Sequence, residues 1–273
     1  MKNLNSYEIN KLHGQELRKG KVPIDIFIDK ESTFEYMGNL MADTIKDNNK
    51  LGKKTLFIVP LGPIGQYKYF VKRVNKEKIS LKDTTFINMD EYMVDEKTLI
   101  DPNHPLSFRK IMNELCYSQI DKDLIMDESQ RIFPSLDNAD YIDEVIEKHN
   151  GVDICFGGIG ITGHIAFNEP EDNVDPKEFV NSRTRVIKIK EATLVVNSMD
   201  EYDGAYYLMP QYAITIGLKE ILNSKKVRLF CFRQWHKSVV KRASFGEITT
   251  QFPATFLQKH KDARIGISEE VAE

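Results

Sequence analysis

Apolar residues fall along the chain in short, nearly continuous runs rich in β-branched and aromatic side chains, at residues 24–28, 55–59, 85–88, 152–156, 186–189, 212–216 and 227–232. Runs of that length with little polar alternation predict strands buried on both faces. Between several of them the period lengthens. Residues 32–48 place Phe34, Met37, Leu40, Met41 and Ile45 on one side of a helix, and residues 141–148 do the same with Ile142, Val145 and Ile146. Buried strands alternating with amphipathic helices predict a three-layer α/β fold, a mostly parallel, modified Rossmann-like sheet with helices on both faces. Ligands of such sheets bind beyond the carboxyl ends of the strands, so chemistry belongs in the loops that follow them.

At 273 residues the chain is short enough for a single core. Residues 1–21 carry little apolar periodicity and read as an N-terminal extension, helical or disordered, ahead of one domain at 22–273. The charged, proline-bearing stretch 95–105 is a long connection for a compact fold, either a lid or binding element or a surface insertion.

Composition narrows the function classes. With 41% hydrophobic and 29% charged residues the chain reads as an ordinary globular protein, and a net charge of −3 supplies no field to hold DNA or RNA. A small anionic molecule remains a fitting partner, and association into a homo-oligomer is compatible with the sequence. Cys116, Cys155 and Cys231 are far apart and odd in number, which argues against a disulfide framework or a zinc site and fits a reducing cytoplasm. No apolar leader and no membrane-length run is present, so a cytoplasmic location and no membrane partner are expected.

Two segments could carry chemistry. In Phe86-Ile87-Asn88-Met89-Asp90-Glu91-Tyr92 an apolar strand runs into adjacent carboxylates at the crevice end, although Asp also commonly ends strands as a turn former. The second, Val152 to Phe156, runs into Gly157-Gly158-Ile159-Gly160 and then Ile161-Thr162-Gly163-His164-Ile165-Ala166-Phe167-Asn168-Glu169-Pro170. Glycines there let backbone approach a ligand, and a histidine moves protons in either direction near neutral pH. Glu169 lies within reach of His164 if the loop folds back; alternatively His164 caps a helix and the glycines only turn the chain. The segment does not sit in the first βα unit with an acidic residue about twenty positions on, which disfavours a nicotinamide cofactor.

These residues resemble the glucosamine-6-phosphate deaminases, also called isomerases, which share their fold with 6-phosphogluconolactonases. The resemblance is carried by Asn88-Met89-Asp90-Glu91-Tyr92, by His104-Pro105 with Ser107-Phe108, by Gly157 through Pro170, and by Pro210-Gln211-Tyr212-Ala213-Ile214-Thr215-Ile216-Gly217, in family order from about residue 22 to the end. It implies an aldose-to-ketose isomerisation with loss of ammonia from C2 of an amino sugar phosphate, without metal or organic cofactor. It further implies Asp90 as the base at C2, His164 as the ring-opening proton shuttle, and Glu169 as the acidic partner of that histidine. Thr162 stands with this catalytic group, and Gly62, Glu91, Gly158, Gly160, Gly163, Arg233, His236 and Lys237 are the expected substrate-binding residues. Strand alternation points Glu91 to the face opposite Asp90.

The sequence also departs from the family it resembles. Thr162 stands where the family has Asp two residues before the histidine. The phosphate loop, approximately P-T-G-x-T-P, has become Pro60-Leu61-Gly62-Pro63, and the family arginine is replaced by Leu194. In place of a G-x-x-K-A phrase the chain has Arg233-Gln234-Trp235-His236-Lys237-Ser238, where Lys237 aligns with the family lysine and Arg233 or His236 could restore lost charge. A phosphate dianion needs converging donors and cations, so these losses should cost several kcal/mol unless compensated. Either the phosphate is held differently or the substrate lacks it. A lactonase using His164 without Asp90, a regulator that binds a sugar without turning it over, and, for the basic run at 233–242, a solvated helix face are the competing expectations.

Overall fold

The computed structural model describes residues 4–273. The strands are β1 (Ile24–Phe27), β2 (Thr55–Val59), β3 (Thr84–Asn88), β4 (Asp90–Asp95), β5 (Thr98–Leu99), β6 (Arg131–Ile132), β7 (Ile154–Gly157), β8 (Arg185–Lys188), β9 (Tyr212–Thr215), β10 (Lys226–Cys231) and β11 (Ala263–Ser268). Seven of them form one parallel sheet in the order β1-β11-β10-β7-β2-β3-β6. This is the predicted layer architecture. Side chains of β2 show how it is built: Leu56 and Ile58 enter one core while Phe57 and Val59 enter the other, because successive strand residues face opposite ways. The Phe57 side is covered by helices Lys30–Lys50 and Gln66–Glu77 through Met37, Met41, Ile45, Tyr67, Phe70 and Val74. The Ile58 side is covered by helices Ala139–Lys148, Leu218–Leu222 and His236–Phe245 through Ile142, Leu218, Ile221 and Val240.

A second sheet was not foreseen. β5, β4, β9 and β8 form an antiparallel four-stranded layer in that order. Its origin is a break at Met89: β3 ends at Asn88, Met89 bridges to Val59 and Ile216 through its backbone, and Asp90 opens β4 opposite Thr215. The carboxylates expected to end an apolar strand therefore begin a new one. The connection 95–105 folds back as β5 on β4, buries Ile100, and leads to Ser107, which caps helix Phe108–Leu115.

Within the expected extension, residues 1–3 lie outside the described residues. The remainder forms helix Ser6–Asn10 and a 3-10 turn at Gly14–Lys19. Leu17 is fully buried, and Ser238 and Lys241 of helix His236–Phe245 donate to the Asn10 side chain and carbonyl at 2.7 and 3.1 Å. No helix among the described residues is long and apolar enough to cross a membrane.

Candidate active site

The segments that follow β2, β3, β7 and β10 surround a cleft that opens to solvent. It lies where strand order reverses, between strands that lead to opposite edges of the sheet, which is where this architecture leaves a crevice. Pro60 to Pro63, Met89, Asp90, Tyr92, Gly158 to Ile161, His164, Ala166, Phe167, Thr193, Asn197, Phe232, Arg233, Trp235 and His236 are among its walls.

Asp90 is 8% exposed, and no donor among the described residues reaches its carboxylate. Burial, with the charge of Glu91 adding to it, holds the carboxyl well above the usual range. A carboxylate left without hydrogen bonds in a cleft wall is costly to the fold and is basic for its type.

Across the cleft His164 sits in a network of its own. Thr162 Oγ1 donates to Glu169 Oε2 at 2.7 Å, and His164 Nδ1 lies 2.8 Å from the same Thr162 oxygen and 3.3 Å from Glu169 Oε2. The hydroxyl has one proton and gives it to the carboxylate, so it accepts from the imidazole; the network thereby assigns the proton of neutral His164 to Nδ1 and leaves Nε2 free to accept. Thr193 Oγ1 is 3.4 Å from Nδ1. Glu169 is buried, which alone would raise its carboxyl, but the facing His164 charge and the hydrogen bonds from His164 and Thr162 outweigh burial and hold it below its usual range.

The loop carrying these groups is shaped by close approach. A Cβ at Gly160 would lie 1.9 Å from both Cε1 and Nε2 of His164, so the imidazole occupies the space that any other residue would fill. Gly163 has φ of +82° and is packed by the Phe252 ring. Asn168 pins the far end, donating to the carbonyls of Ile165 and Ile216 while accepting from Arg185.

Of the residues expected from sequence, the structure brings Asp90, His164, Gly62, Gly158, Gly160, Arg233 and His236 to the cleft, with Thr162 and Glu169 directly behind His164. Three expectations are corrected. Glu91 is not among the residues that line the cleft: its buried carboxylate accepts from Ser107 Oγ and the backbone N–H groups of Tyr92, Phe108 and Arg109, so it holds the start of helix Phe108–Leu115. His236 supplies no positive charge. Its Nδ1 accepts from the Arg233 N–H and its Nε2 donates to the Ile159 carbonyl, and burial with the nearby Arg233 charge pushes it down to about 3. The ring is a neutral strut between the loops after β7 and β10. Lys237 is not among the residues that line the cleft. Thr193, Tyr92 and Trp235 also line the cleft and were not among the expected site residues, although Tyr92 and Trp235 stand two positions from Asp90 and Arg233.

No family model matches the chain. It is, however, 32% identical over 245 residues to the glucosamine-6-phosphate deaminase of Mycoplasma mycoides subsp. mycoides, covering 87% of this chain and 93% of the relative. The chain belongs to the glucosamine-6-phosphate deaminase family. The deaminase of Shewanella halifaxensis is likewise 32% identical, over 259 residues covering 91% of this chain and 90% of that one. Among solved structures, a monomeric glucosamine-6-phosphate deaminase superposes with a TM-score of 0.78 at 26% identity, over 91% of this chain and 98% of that one. A 6-phosphogluconolactonase from Shewanella baltica shares the fold, with a TM-score of 0.60 at 17% identity over 90% and 97% of the two chains. Asp90 and His164, the two positions where the deaminase resemblance expects proton transfer, both line the cleft.

Proposed function

We propose that the protein isomerises and deaminates a 2-amino-2-deoxy sugar 6-phosphate, with water consumed and ammonia released as the aldose becomes a ketose. The observation that carries this reading is the placement of a buried, raised carboxyl at Asp90 opposite a histidine whose cleft-side nitrogen is unprotonated. His164 Nε2 takes the proton of the anomeric hydroxyl and returns it to the ring oxygen, so that the bond from C1 to the ring oxygen breaks and C1 becomes a carbonyl. Glu169 supports the transient imidazolium directly at 3.3 Å and through Thr162, in place of an adjacent aspartate. Asp90 then removes the proton from C2, the electron pair forms the C1–C2 double bond while the carbonyl pair passes to O1, which takes up a proton from solvent, and return of the proton from Asp90 to C1 as the amino nitrogen donates its lone pair leaves an iminium at C2. Water adds there and ammonia departs. A positioned base contributes about 10² to 10⁴ to such a step.

Lactone hydrolysis needs a base for water but no proton removal at a carbon, so it leaves the buried Asp90 without a task. Ammonia release from glucosamine 6-phosphate, read beside hydrolysis of 6-phosphogluconolactone, separates the two. Turnover of the amino sugar is expected; lactone hydrolysis alone would replace this reading, and binding without turnover of either would make the protein a sensor.

A further inference from the structure

Among the described residues that line the cleft, Arg233 is the one Lys or Arg. Its guanidinium lies over two rings, 5.3 Å from the centre of Phe232 and 5.9 Å from that of Trp235. Phe232 also lines the cleft, and a second cation rests on it. The ammonium of Lys30 lies 4.9 Å from the Phe232 centroid and 5.6 Å from that of Phe34, with which Phe232 packs edge to face at 4.7 Å. Phe34 in turn fills the space beside Gly65, just beyond the Pro60–Pro63 wall. Two cations that are 203 positions apart in sequence thus meet on one aromatic side chain at the mouth of the cleft.

The neighbours of Lys30 do not cancel its charge. No carboxylate of the described residues forms an ion pair with it, Asp29 is committed to the Ser32 backbone and hydroxyl, and Glu31 is held by Lys68 and Tyr69, each at 2.6 Å. Lys30 is exposed at the start of helix Lys30–Lys50, and its four-carbon stem can swing while the rings hold it near the mouth. Arg233 is half-buried, with its guanidinium over the Trp235 ring. We infer that Lys30 and Arg233 together form the phosphate-binding end of the site, with Phe232 as the wedge that keeps the two cations apart until a dianion draws them in. This rests on the sugar phosphate reading above. It assigns to Lys30, which no motif marks, the charge that His236 and Lys237 do not bring to the cleft.

The test compares wild type with Lys30→Met, Arg233→Met and Lys30→Arg. For glucosamine 6-phosphate and unphosphorylated glucosamine, the ratio of the two kcat/KM values should fall about tenfold or more in each methionine variant, the scale of one charged hydrogen bond lost, and return toward wild type in Lys30→Arg. Inorganic phosphate, titrated calorimetrically, should bind wild type and bind Lys30→Met at least about fivefold more weakly. A Lys30→Met protein with both the wild-type ratio and wild-type phosphate affinity overturns the assignment. If wild type turns over no amino sugar phosphate, the functional reading fails, and the phosphate titration still decides whether Lys30 and Arg233 bind the anion.

Discussion

Two buried carboxylates, Asp90 in the cleft wall and Glu169 behind His164, stand in opposite electrostatic settings. Asp90 opens β4 with no donor of the described residues at its oxygens and is raised by burial; Glu169, also buried, is lowered because His164 and Thr162 are aimed at it. Burial disfavours charge in both; the neighbouring charge and the hydrogen-bonding partners differ, and they suit Asp90 to act as a base and Glu169 as a fixed counter-charge. The difference also predicts opposite effects on stability. The folded chain holds a proton on Asp90 more tightly than the unfolded chain, so that group's contribution is full below the ordinary carboxylate pKa and is lost as pH rises through the folded value. Glu169 contributes above the ordinary value, and its contribution is lost as pH falls through the lowered one.

The sharpest way to break the comparison is Asp90→Asn. Ammonia release should fall by about 10² to 10⁴ while Tm near neutral pH rises, with the gain disappearing below the ordinary carboxylate range. Thermal melts across pH, read beside activity, check both halves; a variant that loses activity and stability together contradicts the assigned sign. The wild-type kcat/KM profile should likewise have its acid limb above the usual carboxylate range, since protonated Asp90 cannot accept.

Next in size is Gly160→Ala, whose methyl would displace the His164 ring. A loss of about 10² in kcat with an unchanged far-UV spectrum is expected, by the sensitivity of proton transfer to misplacement of about an ångström. Glu169→Gln should lower kcat about tenfold or more and destabilise the fold by about 1–3 kcal/mol near neutral pH, the cost of leaving a buried partner unsatisfied; denaturant titration measures it. The smallest effect is reserved for Thr162. Thr162→Val keeps the shape but removes the hydroxyl, and kcat should fall several-fold on the scale of one neutral hydrogen bond, about 0.5–1.5 kcal/mol, with recovery in Thr162→Ser.

Much of the parallel sheet was legible because its strands are continuous apolar runs: residues 55–59 match β2 end for end. The runs at 24–28, 85–88, 152–156 and 227–232 fall on β1, β3, β7 and β10 with small shifts at their ends. β11 escaped because Arg264 and Gly266 interrupt its apolar run, although Gly266 is what lets Phe27 and Phe230 close over the sheet. β4 escaped because Asp90-Glu91-Tyr92-Met93-Val94-Asp95 reads as a polar turn, and its pairing with β9 spans more than a hundred residues. The same limit applied to the site. Asp90, His164 and Glu169 stand in compact phrases, whereas the task of Glu91 depends on Ser107 and Phe108 folding back onto it, and His236 reads as a cation until its two nitrogens are seen to be used. Thr162 looked like a lost charge. In place it is a bridge that passes the charge of Glu169 to the histidine.

The most direct measurement is exchange of the C2 hydrogen of glucosamine 6-phosphate with solvent deuterium, followed by NMR in wild type and in Asp90→Asn, with Glu91→Gln as a folded comparison judged by its melt. Exchange in wild type that slows by about 10² or more in Asp90→Asn is the expected result. Exchange in Asp90→Asn at the wild-type rate would show that another group takes the C2 proton and that the buried, unpartnered carboxylate is not the base.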